Sequence, residues 1–94
     1  MKIVFGWDPD KAIQNRAKHG VPFEEALTVF ADPLARIFDD PDHSLEEQRE
    51  IIIGHSTRQR LLLVWFTGRR QRIQIIGARE ATRQERKDYE EKAF

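Results

Sequence analysis

The mostly apolar stretch from Lys2 to Trp7 reads as a short strand, with Ile3 and Phe5 on one side. Asp8-Pro9 then offers an N-cap followed by proline at the first helical position, so a helix opens there. It spans about 9–19, with Ala12, Ile13 and Ala17 on one face and Lys11, Asn15 and Lys18 toward water, and Gly20 as its left-handed stop. After Val21-Pro22, the apolar set Phe23, Ala26, Leu27 and Phe30 falls at i, i+3, i+4 and i+7, with Glu24 and Glu25 in the first turn where the macrodipole favours anions. Asp32-Pro33 ends this second helix, because the residue before proline avoids helical geometry.

The period then shortens. Arg36-Ile37-Phe38 reads as a short strand, and Asp39-Asp40-Pro41-Asp42-His43-Ser44 as a polar loop dense in turn residues. Three β-type runs follow, Glu50 to His55, Leu61 to Thr67 and Arg72 to Arg79; the short links between them predict antiparallel hairpins. The second and third runs are apolar at nearly every position, which places them centrally. Thr82-Arg83-Gln84-Glu85 has capping-box spacing and opens a last helix to about Lys92. That helix is polar apart from Tyr89, so it must be held by docking or by a partner. The order predicts one α+β domain over residues 1–94: a short N-terminal strand, two helices on one face of an antiparallel sheet of about three to four strands, and a C-terminal helix. The opposite face is left for the last helix, loops or a ligand.

Composition narrows the function. The longest apolar run, Leu61 to Phe66, is far short of the roughly 20 residues of a spanning helix, and the N-terminus turns acidic at Asp8 before any signal-peptide core, so a cytoplasmic protein without membrane contact is expected. The absence of cysteine excludes disulfides and thiol chemistry. The formal net charge is zero, yet residues 1–47 carry ten acidic and five basic side chains, and residues 48–94 six acidic and eleven basic. Between Ile51 and Arg79 lie six arginines and no carboxylate, a field that attracts polyanions.

Arg58, Arg60, Arg69, Arg70, Arg72 and Arg79 therefore read either as phosphate contacts on a nucleic-acid backbone, with stacking on Trp65, Phe66 or Tyr89, or as solvated hairpin turns. His19 ends the first helix, where the dipole favours imidazolium; it is either a proton carrier or a C-capping side chain. His55 adjoins Ser56, but the spacing supplies no orienting acid. Asp39, Asp40, Asp42 and His43 lack the glycine and distal glutamate of a calcium loop, and no cofactor or metal is expected. Arg79 at a strand end and Arg83 in the first turn of the last helix can converge on one spot, while Tyr89 either hydrogen-bonds through its hydroxyl or anchors the helix by its ring.

Phe5-Gly6-Trp7-Asp8-Pro9 with Lys11, then Lys18-His19-Gly20-Val21, Phe23-Glu24-Glu25-Ala26, Asp39 to Ser44, Ala78-Arg79, Ala81 to Arg86 and Tyr89-Glu90, taken in order, resemble the BrnT toxins of type II toxin–antitoxin pairs. The resemblance implies a RelE-like bacterial ribonuclease that inhibits translation and growth. It also implies a BrnA-type antitoxin that neutralises the toxin, binds DNA and so alone connects the pair to operator DNA. Cleaving RNA without metal requires activation of the ribose 2′-OH, protonation of the 5′-oxygen and cations against the phosphorane. On that reading His19, Arg79, Arg83 and Tyr89 are the candidate catalytic residues, and Arg58, Arg60, Arg69, Arg70 and Arg72 the candidate RNA contacts. The alternative is a non-catalytic module that binds nucleic acid or an acidic protein.

Overall fold

A computed structural model describes residues 2–42 and 48–92, so His43 and Ser44 of the polar loop lie outside the described residues. Along the chain come β1 (Val4–Trp7), α1 (Pro9–His19), α2 (Phe23–Ala26) running into a 3₁₀ turn (Leu27–Ala31), β2 (Arg36–Asp39), β3 (Arg49–His55), β4 (Leu61–Arg69), β5 (Arg72–Glu80) and α3 (Arg83–Glu90). The strands form one five-stranded sheet in the order β1-β5-β4-β3-β2. β2 to β5 make the expected antiparallel meander, and β1 adds to its edge by pairing parallel with β5. The sheet is thus mixed and wider than predicted: short links reveal hairpins, whereas pairing between strands 68 residues apart in register, such as Val4 with Arg72, leaves no local signal.

The local chemistry explains each helix boundary. Asp8 accepts a hydrogen bond from the Asp10 amide at 2.8 Å, Pro9 takes the first helical position, and Gly20 stops α1 in the left-handed region with φ 70°. The inward side of α1 differs from the prediction. Ala12 and Asn15 face the sheet, while Ile13 and Ala17 are exposed. The reason is the edge of β5. β1 leaves the sheet after Trp7, and the Asn15 amide takes over as its continuation: Oδ1 accepts from the Ala78 N–H at 3.1 Å and Nδ2 donates to the Ala78 carbonyl at 2.9 Å. Satisfying a strand edge outweighs burying one more aliphatic side chain. The second helix is also shorter than its periodicity suggests. Thr28 donates its hydroxyl to the Glu25 carbonyl at 2.6 Å, and the chain tightens into 3₁₀ geometry before Asp32.

The two faces of the sheet carry separate cores. On one, Val21, Phe23, Ala26 and Val29 pack against Ile52, Leu62, Val64, Phe66, Ile75 and Ala78. Rings tie this layer together, Phe30 lying 5.1 Å from Phe5 and 5.0 Å from Phe66 between centroids. Each fully buried side chain of this size contributes about 1.5–3 kcal/mol, so this layer dominates stability. On the other face Ile51, Ile53, Leu61 and Leu63 form a smaller cluster, covered by Tyr89 and Ala81. α3 therefore lies on the face opposite α1 and α2, capped by the predicted Thr82–Glu85 box.

Candidate nucleic-acid interface

Register fixes which side chains share the face that α3 covers only in part. Leu61, Leu63, Ile51 and Ile53 lie at the α3 end. Toward the opposite end the same face continues through Trp65, then Thr67 paired with Arg49 and Gln74, and finally Arg69 paired with Arg72, itself opposite Val4. The bulge between Trp65 and Phe66 leaves Ile76 without a partner on β4, between the Phe66–Ile75 and Trp65–Gly77 pairs. Bulges re-aim side chains in this way beside functional sites. Ile76 lines a cleft of about 310 Å³ with Lys11, Gln14, Lys18 and His19 of α1 and with Arg49 of β3. Three cationic side chains and one imidazole from two distant segments thus surround one space able to hold a phosphodiester.

A second cleft, of about 680 Å³, lies between Val4 and the β4–β5 hairpin of Arg69, Arg70, Gln71 and Arg72. All three arginines are exposed, and no carboxylate of the described residues pairs with them. Arg70 has φ 54°, a conformation that favours glycine. The hairpin thus keeps a cation at its tip despite a backbone cost of about 1 kcal/mol.

Arg58 and Arg60, predicted to contact RNA, sit elsewhere. Arg60 closes on Glu25: Nε donates to Oε2 at 2.9 Å and Nη2 to Oε1, while Nη2 also donates to the Gly20 carbonyl at 3.1 Å. Ser56 donates its hydroxyl to Glu25 at 2.7 Å. Glu25 is 6% exposed, and the Arg60 hydrogen bonds hold its carboxyl below the usual range against the opposing effect of burial. Arg60 is therefore structural, joining the β3–β4 loop to α2 and to the end of α1. Arg58 approaches the same carboxylate at 3.8 Å.

Arg79 is engaged by the first turn of α3. Its Nη1 and Nη2 donate to Glu85 Oε1 and Oε2 at 2.7 and 3.0 Å, and its guanidinium carbon lies 5.2 Å from the Trp65 ring centroid. These bonds push the Glu85 carboxyl down to about 2, and the same oxygen Oε1 accepts the Thr82 amide of the capping box at 2.8 Å. Arg83 is exposed at the first position of α3. Tyr89 is the helix anchor: its hydroxyl donates to the Leu34 carbonyl at 3.2 Å and its ring meets His55 edge-on at 5.7 Å. Burial raises its phenol above the ordinary value. Tyr89 thus packs over β3 and β4 and reaches toward β2, on the face opposite α1, the helix that carries His19.

His55 has the orienting acid that spacing could not reveal. Asp32 Oδ2 accepts the His55 amide at 2.7 Å and lies 3.7 Å from Nδ1. Burial opposes charge on Asp32, but the His55 and Leu34 amides outweigh it and lower its pKa. Gly54 permits this approach, since a Cβ there would stand 2.8 Å from Ala35 Cβ and 3.0 Å from Asp32 Oδ2. Lys11, Lys18 and Arg49 were missed as site residues; only the i, i+7 spacing of the two lysines on α1 hinted at a shared face.

Among the described residues, no three His, Asp or Glu side chains gather as they would around a metal ion, and no helix is long and apolar enough to cross a membrane. No curated protein matches this sequence. The crystal structure of the Brucella abortus ribonuclease toxin BrnT is similar, with 26% identity and a TM-score of 0.65 over 88% of this chain and 99% of that one. Residues 7–85 match the family described as the ribonuclease toxin BrnT of type II toxin–antitoxin systems. That span runs from the last residue of β1 through the α1 cleft and the arginine hairpin to the start of α3, and the chain belongs to the BrnT family of type II toxins.

Proposed function

We propose that this chain is a metal-independent endoribonuclease, acting as a single domain in the cytoplasm. The observation that carries the reading is the cleft where His19 stands among Lys11, Lys18 and Arg49. RNA would enter over the Arg69–Arg72 hairpin, where exposed guanidiniums bind backbone phosphate, and pass along the uncovered half of the sheet. In the cleft the ribose 2′-oxygen attacks the adjacent phosphorus, its proton leaves, and the P–O5′ bond breaks as the 5′-oxygen is protonated. His19 carries a proton in that exchange, and the lysines and Arg49 bear on the charge that grows on the non-bridging oxygens. Arg83 is exposed for a further phosphate, whereas both terminal nitrogens of Arg79 are occupied by Glu85.

Membership of a type II family implies an antitoxin partner. A BrnA-type antitoxin that binds DNA fits this role, occluding the same basic face and linking the toxin to operator DNA. The testing experiment incubates purified protein with single-stranded RNA in excess EDTA. Cleavage leaving 2′,3′-cyclic phosphate ends is expected. Loss of cleavage in EDTA with restoration by magnesium would assign the chemistry to a metal.

A further inference from the structure

Resting on the RNA reading above, we infer that the Arg79 guanidinium, lying over Trp65 and pinned by Glu85, is a stacking platform for one unpaired RNA base. The sequence offers Arg79 as a cation for phosphate, and the geometry is unsuited to that. Both Nη atoms are bonded in one fork to Glu85 Oε1 and Oε2 at 2.7 and 3.0 Å, so the edge that would grip a phosphate is already occupied by a carboxylate. That fork instead fixes the plane. Trp65 supports the guanidinium from the sheet side at 5.2 Å, and the Arg79 side chain keeps 30% of its surface exposed. A planar cation held between a carboxylate at its edge and an indole at one face offers its remaining surface to a nucleobase, since unstacked RNA bases pack on guanidinium planes as they do on aromatic rings.

The setting agrees. Trp65 pairs across the sheet with Gly77, which has no side chain to cover the ring, and Gly77 adjoins Ile76 in the wall of the His19 cleft. A base on Arg79 would therefore flank the nucleotide whose phosphate lies in the cleft. Glu85 is the positioning residue: it acts on RNA only through Arg79, while its second task, accepting the Thr82 amide, keeps the helix start and the guanidinium in one arrangement.

The test measures binding, so it does not depend on cleavage. A 2′-O-methyl octaribonucleotide, which cannot be cut, is compared with a set in which each position in turn is abasic. For the unsubstituted protein, one position is expected to lose roughly 5- to 100-fold in affinity when its base is removed. Arg79→Lys keeps the charge and a contact to Glu85 but has no plane, and should abolish that positional penalty. Glu85→Gln preserves a capping-box side chain and should reduce the penalty without unfolding α3. Thermal melts confirm that both variants are folded. An undiminished penalty in Arg79→Lys, or no position-dependent penalty in the unsubstituted protein, overturns the platform while leaving RNA binding intact. Failure of the unsubstituted protein to bind any oligonucleotide overturns the RNA reading and the platform together.

Discussion

Strand β4 has arginines at both ends, and the two ends are chemically unlike. Before it, Arg60 is drawn into Glu25, Ser56 and the Gly20 carbonyl, and Arg58 approaches the same carboxylate. After it, Arg69, Arg70 and Arg72 stand exposed around an open cleft with no carboxylate partner among the described residues. In sequence the two clusters look alike: arginines at hairpin turns in a stretch without acids. The difference comes from Glu25, 35 residues upstream of Arg60, which the fold carries to one end and not the other. Arginine density therefore marks where positive charge enters the chain, and tertiary pairing decides how much of it reaches a ligand.

The comparison can be broken or sharpened at several points. The largest effect is expected in the α1 cleft, where His19→Ala should slow single-turnover RNA cleavage by about 10²- to 10⁴-fold while the melting temperature stays nearly unchanged. If the melt shifts and the chemical step does not, His19 serves only to end α1. At the start of β4, Arg60→Ala leaves the Glu25 carboxylate buried without its partner and should cost about 3–5 kcal/mol in urea unfolding. A loss near zero would mean the pair is not the staple described here.

Acid should separate the regions further. Glu85 has a folded pKa of about 2 against an ordinary 4.5, so its ionised form stabilises the native state above about pH 4.5, and that contribution fades as pH falls toward 2. Allowing for solvent screening, about 2 kcal/mol is at stake. Urea titrations across this range should show a shallower loss for Glu85→Gln than for the unsubstituted protein.

Arg69→Ala and Arg72→Ala should each leave stability within about 0.5 kcal/mol while lowering the salt slope of RNA binding by about 1. Smallest of all, Arg70→Gly should stabilise the fold by roughly 0.5–1 kcal/mol, because glycine accepts the φ of 54°, and should weaken RNA binding through loss of charge. Weaker binding combined with higher stability would mark the tip arginine as kept for its ligand.

Much of this was legible where the signal is local. Asp8-Pro9, Gly20 and the Thr82–Glu85 box set helix ends through contacts within a few residues, and the meander follows from the short links between apolar runs. What escaped is long-range. Asn15 looks like a solvent-facing helix residue until β5 presents an unpaired Ala78 peptide 63 residues later. Glu85 is the local exception: it reads as a capping residue, which it is, and its fork to Arg79, only six residues away, depends on the turn between β5 and α3. Lys11, Lys18 and Arg49 are ordinary charges in sequence and line one cleft with Ile76, at the β5 bulge, only once the fold brings α1 and β3 together.

The central claim is that RNA lies along the hairpin and cleft side of the sheet. Titrating isotopically labelled protein with an uncleavable 2′-O-methyl oligonucleotide, and mapping the backbone amide shifts, tests it most directly. The account predicts that the largest changes cluster at Lys11 to His19, Arg49, Arg69 to Arg72 and Ile76, with Ser56 to Gln59 nearly silent. The largest changes at Ser56 to Gln59, with the cleft unmoved, would contradict it.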